Sequence, residues 1–271
     1  MKQTFFSIIT PTYNRADRLI KAFESLNSQT FRDFEWVIID DGSTDDTTNT
    51  VAKFAETANF NLIYHKIPHG GKHMAIRTAY EIVSGTWSFE LDSDDELYDK
   101  NTLQHMYTLA TTNPNECFGG CFIDQHDNIF PKINTPYIDY DLKTYLDNFC
   151  DETNQQNLNI AWLMKTTYAR SILPPPIQDN LTYFPEAVTN LQRALKSQNF
   201  QLRIFNQPWY RYHTYNSDSV TVNTRHTNAL WYYAKSLLET LHEYNLLNKY
   251  PHFVRKLNKM LFAHTPTDRS I

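Results

Sequence analysis

The chain has 271 residues, 41% hydrophobic and 20% charged, which fits one large domain, or a domain with an appendage, able to bury a core. Its net charge of -5 sets aside general nucleic-acid binding, which draws affinity from a basic surface, and no apolar run approaches bilayer-spanning length. Cys117, Cys121 and Cys150 make neither a disulfide framework nor a zinc site, and Met1-Lys2-Gln3-Thr4 leads into an apolar run without a small-residue cleavage site, so a reduced, cytoplasmic protein is expected.

The first 125 residues alternate apolar runs with segments of helical period. Phe5–Thr10 reads as a buried strand, and Leu19, Ala22, Phe23 and Leu26 then recur at helical spacing. Phe34–Asp40 is a second strand. The helix after it carries Val51, Phe54, Ala55 and Ala58 on one face, with Thr44 as its expected N-cap and Asp45 and Asp46 at the positive end of its dipole. Leu62–Ile67 is a third strand, followed by a helix over 73–83; Thr86–Leu91 is a fourth. A helix with Leu103, Met106, Tyr107 and Ala110 leads to a fifth strand, Cys117–Ile123.

Residues 126–222 are less regular, and Pro174-Pro175-Pro176 marks a stiff connection. From about 226 the chain turns helical again, with Trp231, Ala234, Leu237, Leu238 and Leu241 as an apolar stripe. All six glycines lie before residue 121, which places the backbone positions needing positive φ or close ligand approach in the first half.

Alternating strands and helices imply a mostly parallel sheet covered on both faces, with ligands outside the carboxyl ends of its strands. Those ends are Thr10-Pro11-Thr12-Tyr13-Asn14-Arg15, Asp40-Asp41-Gly42-Ser43, Pro68-His69-Gly70-Gly71-Lys72 and Asp92-Ser93-Asp94-Asp95. The sheet brings these polar stretches to one edge, so acid clusters face Arg15 and Lys72. Three carboxylates within Asp92–Asp95 repel one another unless a cation or solvent relieves them. One reading is a solvated acidic turn with Asp95 capping the next helix. The other is a site for a hard divalent ion, Mg²⁺ or Mn²⁺, which prefers carboxylate oxygens beside a substrate phosphate.

These four stretches, in this order and spacing, resemble family 2 glycosyltransferases of the GT-A fold. The signatures are Pro11-Thr12-Tyr13-Asn14-Arg15, Asp40-Asp41-Gly42-Ser43-Thr44-Asp45, Gly70-Gly71-Lys72-His73-Met74-Ala75 and the DXD motif Asp92-Ser93-Asp94-Asp95. A weaker match runs through Phe184-Pro185-Glu186 and Tyr210-Arg211-Tyr212 to Ser217–Thr221, so the resemblance spans about 4–222. It implies a nucleotide-sugar-binding half (1–125) and an acceptor-binding half (126–222), and the helical pattern of the tail makes 223–271 a C-terminal helical extension.

The resemblance implies transfer of a hexosyl or N-acetylhexosaminyl unit from a nucleotide-sugar donor to a hydroxyl of a glycan or lipid-linked acceptor in bacterial surface polysaccharide synthesis. Pro11, Thr12 and Tyr13 line the nucleoside pocket on this reading. Asp40 accepts from a base N–H, which suits uracil and a UDP donor. Asp41, Gly71 and Ser93 belong to the same donor site, and Arg15 and Lys72 face phosphate or ribose. Asp94 is the implied metal ligand, Asp92 lies against ribose or a metal-bound water, and His213 is either a further ligand or a packed histidine. A divalent ion there stabilises the departing diphosphate. Where relatives often carry Glu-Asp, this chain has Glu186-Ala187; Glu186 is the candidate base, with Asp179 and Asp218 as alternatives. A base opposite the leaving nucleotide gives a single displacement with inversion.

Two rival functions stand beside this one. A sugar nucleotidyltransferase binds the same ligands, yet no arginine-rich glycine loop lies near the N-terminus. An inactive nucleotide-sugar or glycan-binding module fits the missing aspartate at Ala187. Trp162, Tyr183, Trp209 and Tyr210 are either acceptor-stacking platforms or core. The tail either packs on the catalytic domain or a second subunit, or rests on the anionic inner face of a membrane through the basic, aromatic segment 249–264.

Overall fold

The computed structural model describes residues 4–141, 161–173, 195, 201–213 and 229–263. It has a ten-stranded sheet in the order β3-β2-β1-β4-β9-β6-β10-β5, with β7 on β6 and β8 on β10. The strands are β1 (Phe6–Thr12), β2 (Phe34–Asp40), β3 (Asn61–Lys66), β4 (Trp87–Glu90), β5 (Glu96–Leu97), β6 (Cys117–Ile123), β7 (Ile129–Phe130), β8 (Tyr137–Asp141), β9 (Ala161–Lys165) and β10 (Gln201–Arg211). The helices are α1 (Leu19–Asn27), α2 (Thr47–Thr57), α3 (Lys72–Ile82), α4 (Thr102–Thr112), α5 (Thr166–Ser171), α6 (Ala229–Glu243) and α7 (Pro251–Ala263).

Strands β3, β2, β1 and β4 run parallel. β1 and β2 are buried along their whole length because helices cover both faces, hence their near-continuous apolar runs. Successive side chains serve opposite cores. Phe6, Ile8, Trp36 and Ile38 join the core under α1, α2 and α4, while Ile9, Val37 and Ile39 join the core under α3 and α5. That second core also takes Ala234, Leu237 and Leu241 of α6 and Phe253 and Leu257 of α7, so the C-terminal helices pack on the same face as α3.

A buried carboxylate stands inside β2. Glu35 Oε1 accepts the Ser7 hydroxyl at 2.6 Å and the Ser84 N–H at 2.7 Å, and Oε2 accepts the Ser84 hydroxyl at 2.9 Å. These donors offset the desolvation that would otherwise exclude the charge.

One local expectation changes and two open alternatives are decided. The cap of α2 is Asp46, not Thr44, and Asp45 instead accepts the Thr47 N–H at 3.1 Å. Asp95 caps no helix: β5 follows it, and α4 begins only after Asn101. Trp162, Trp209 and Tyr210 are buried, Trp209 completely, so none offers an open ring to a sugar. Tyr183 and the Pro174–Pro176 run lie outside the described residues.

Candidate active site

The parallel register sets Thr12 beside Asp40 at the carboxyl edge of the sheet, and the chain leaves each strand there into a polar loop. Asn14 ties the first two loops together. Its backbone takes φ 52, a left-handed conformation that asparagine tolerates, its N–H donates to Ser43 Oγ at 2.8 Å, and its side-chain oxygen accepts the Thr44 N–H at 2.7 Å. Tyr13, just before this knot, is 42% exposed, whereas Pro11 and Thr12 are buried. Thr12 Oγ1 is buried and has no hydrogen-bond partner among the described residues. Such groups are rarely left unsatisfied without a ligand or water to serve them.

The two acids of Asp40-Asp41 do different work. Asp40 is fully buried: Oδ1 accepts the Ser43 N–H at 2.7 Å and Oδ2 accepts the Tyr64 hydroxyl at 2.5 Å, with Lys66 Nζ 3.9 Å away. Burial and the bond to Asp40 push the Tyr64 hydroxyl up to about 12, so it stays protonated and donating. Each carboxylate oxygen retains acceptor capacity for a further N–H. Asp41 faces the third loop. Its oxygens accept the Gly70 and Gly71 N–H groups at 2.7 and 2.8 Å, and His69 Nδ1 lies 2.9 Å from Oδ2. Gly71, at φ 92, then opens α3 in a conformation that side chains rarely adopt.

The acid cluster meets the two expected cations. Arg15 Nη1 lies 2.7 Å from Asp94 Oδ2 and 3.4 Å from Ser93 Oγ, and Lys72 Nζ lies 2.8 Å from Asp92 Oδ1. Even so, burial and the neighbouring Asp92 push Asp94 above the usual carboxylate range. Burial, Asp92 and Asp94 push the buried Asp95 further up. Asp95 Oδ1 accepts the His213 N–H at 3.1 Å, pinning the end of β10 to the acid cluster.

His213 Nε2 is 3.0 Å from Glu96 Oε1, so the imidazole is held as a packed side chain just past the end of β10. Arg211 shares Glu96 at 3.7 Å and pairs with Asp127 at 2.8 Å. Among the described residues no three of His, Cys, Asp and Glu converge into a cage for a metal. The hard oxygens of Asp92 and Asp94, with negative charge incompletely relieved, fit an open site of one or two carboxylates that substrate phosphates complete.

Of the expected site residues, Pro11, Thr12, Tyr13, Arg15, Asp40, Asp41, Gly71, Lys72, Asp92, Ser93 and Asp94 lie at the four strand ends and the turns that follow them on one sheet edge, and His213 joins them through Asp95. Glu186, with Asp179 and Asp218, lies outside the described residues. Tyr64 and Glu96 also serve the site but belong to none of the four motifs, and Asn14 acts through its backbone conformation, which the motif does not reveal. Tyr64 alternates within an ordinary strand, and only the parallel pairing of β2 with β3 shows that it reaches Asp40.

A family model described as Glycosyl transferase family 2 matches residues 7–171. A PGL/p-HBAD biosynthesis glycosyltransferase of Mycobacterium tuberculosis is 39% identical over 103 residues, 38% of this chain and 40% of the relative. A GalNAc(5)-diNAcBac-PP-undecaprenol beta-1,3-glucosyltransferase of Campylobacter jejuni is 33% identical over 128 residues, 45% of this chain and 40% of the relative. The chain thus spans about two fifths of the length of these relatives. Among solved structures, S. aureus TarS 1-349 in complex with UDP-GlcNAc superposes with a TM-score of 0.71 at 17% identity, covering 97% of this chain and 74% of that one. A mannosyltransferase from Pyrobaculum calidifontis in complex with GDP-Man and Mn²⁺ gives 0.55 at 16% identity, covering 99% and 77%. At these identities the likeness concerns the fold, which is of the GT-A type.

Proposed function

Because this chain belongs to glycosyl transferase family 2, we propose that it transfers a sugar from a UDP-sugar donor to a hydroxyl of a glycan or lipid-linked acceptor in bacterial surface polysaccharide synthesis. One observation carries this reading: Asp92 and Asp94 stand at the carboxyl edge of the parallel strands, each paired with a cation from a different loop. A diphosphate entering there finds Arg15 and Lys72 already on its path and offers each cation charge-assisted bonds in place of a carboxylate.

In the proposed site the nucleoside lies over Pro11, Thr12 and Tyr13, and Asp40 accepts the base N–H. The unpartnered Thr12 hydroxyl supports a polar ligand at that point. Arg15 and Lys72 hold the phosphates, Gly71 and Ser93 line the approach, and Asp41 keeps the Gly70-Gly71 turn in place. Asp94, with Asp92 and with His213 as the further ligand, would hold a divalent cation, Mn²⁺ or Mg²⁺, which would offset the charge of the leaving diphosphate. Glu186 takes the proton of the acceptor hydroxyl on the face opposite the nucleotide, so the anomeric centre is inverted in one displacement. Residues 1–125 bind the donor in this scheme, 126–222 bind the acceptor, and 223–271 extend the domain.

No described helix is long and apolar enough to cross a membrane. α7 turns Phe253 and Leu257 inward and leaves Arg255, Lys259 and an 84% exposed Phe262 outside. We propose that this basic, aromatic face rests on anionic lipid at the inner face of the membrane, near a lipid-linked acceptor. Binding to anionic vesicles that persists in the Arg255→Glu, Lys259→Glu, Phe262→Ser variant would refute the contact.

The test of the reaction follows slow hydrolysis of UDP-, GDP-, dTDP- and CMP-sugars with Mn²⁺, and transfer once an acceptor is added. Turnover of a UDP-sugar, with transfer lost and donor binding kept in Glu186→Gln, is expected. Release of pyrophosphate from a nucleoside triphosphate would instead identify a nucleotidyltransferase.

A further inference from the structure

His69 has no place in the scheme above, yet it is built into the same edge. Its imidazole stacks on Tyr13 with ring centroids 4.2 Å apart and planes 21° from parallel. Its Nδ1 lies 3.0 Å from the Asp41 carbonyl oxygen and 2.9 Å from Asp41 Oδ2, so the proton sits on Nδ1 and the ring is held by two acceptors. Its backbone is wedged against the next loop: a Cβ on Gly42, itself at φ 80, would stand 2.9 Å from His69 N. The ends of β1 and β2 thus hold an imidazole carried by the loop after β3, although the His69 side chain is 47% exposed and contributes little to the core.

Resting on the nucleotide reading above, we infer that His69 is the fixed second ring of a nucleobase platform, backing Tyr13 so that the donor base stacks on Tyr13's open face as a third ring. An isolated tyrosine at the tip of a loop samples several rotamers, and a base must order it on binding. A ring already packed from behind needs no such ordering, which is how preorganisation raises affinity. The imidazole does not act as a removable plug. Lifting it would break both contacts with Asp41, whereas Tyr13 is 42% exposed with the imidazole in place and so still offers surface to a base. His69 is a positioning residue here: it acts through Tyr13 and recognises a planar heterocycle rather than a particular sugar.

The test titrates UDP, with Mn²⁺ present, into wild-type protein and the His69→Ala, His69→Asn and His69→Phe variants by calorimetry. His69→Asn keeps a donor for Asp41 without the ring, and His69→Phe keeps the ring without the donor. An aromatic pair is worth about a three- to tenfold change in affinity. His69→Ala and His69→Asn are expected to weaken UDP binding by that factor, and His69→Phe to stay within about twofold of wild type. Equal or tighter binding by His69→Ala overturns this inference alone, as does rescue by asparagine but not phenylalanine. A wild-type protein that binds neither UDP nor any other nucleotide overturns the nucleotide reading, and this inference with it.

Discussion

Arg15 Nη1 sits 2.7 Å from Asp94 Oδ2, so the guanidinium at the end of β1 holds the carboxylate proposed for the metal. On the proposed reading, a metal would compete with this guanidinium for the acid until a diphosphate draws the arginine away. Arg15→Ala should therefore move two affinities in opposite directions. Mn²⁺ binding without nucleotide should strengthen by about fivefold or more, because the ion pair removed is mostly buried, while UDP binding weakens. Electron paramagnetic resonance of free Mn²⁺ reads the first and calorimetry the second. A loss of both would show that Arg15 only shapes the loop.

Asp41 is expected to hold the third loop rather than touch the donor. Its oxygens accept both the Gly70 and Gly71 N–H groups. Asp41→Asn replaces one acceptor with a donor, and a charge-assisted bond lost there should speed amide exchange at one of these glycines by about tenfold or more. Unchanged protection at both would contradict the assignment.

Tyr64 supplies a pH dependence with a definite sign. Its hydroxyl is raised from 10.0 to about 12 by burial and by Asp40. The folded state keeps that proton while the unfolded chain loses it, so the contribution is complete below pH 10 and is lost as pH rises through about 12. Urea midpoints measured across that window should fall less steeply in Tyr64→Phe than in wild type. Parallel curves would remove Tyr64 from the network around Asp40.

The parallel half of the sheet was legible because strands buried on both faces are written as unbroken apolar runs, and because each ends in a loop rich in Asp, Gly or Arg. The other half was not. β9 is five residues long and enters antiparallel between β4 and β6, a partner choice set by tertiary contacts rather than by its own pattern. β5 follows the acid cluster immediately and exists because β10 pairs with it. Within the site, chain order told that Asp40 and Asp41 lie at a strand end. It could not tell that alternation turns one toward Tyr64 and the other toward His69. Composition could not decide whether Trp209 stacks on a sugar or joins the core; β10 lays its indole over Gly120.

That contact makes its own prediction. A Cβ on Gly120 would stand 2.1 Å from the Trp209 ring, with no flexible end to yield. Gly120→Ala should cost about 2 kcal/mol or more by overpacking, visible as a lowered urea midpoint. An unchanged midpoint would mean that the indole is not seated there.

The central claim is that four strand ends form one donor site with Asp94 at its metal. The most direct measurement is calorimetric titration of UDP into wild-type protein and Asp94→Asn, each with and without Mn²⁺. Binding that Mn²⁺ strengthens in wild type, and that loses this strengthening in Asp94→Asn, is the expected result. UDP binding indifferent to Mn²⁺ and to the substitution would contradict the assignment of Asp94. No binding of UDP or any nucleotide sugar would leave only the scaffold of the family.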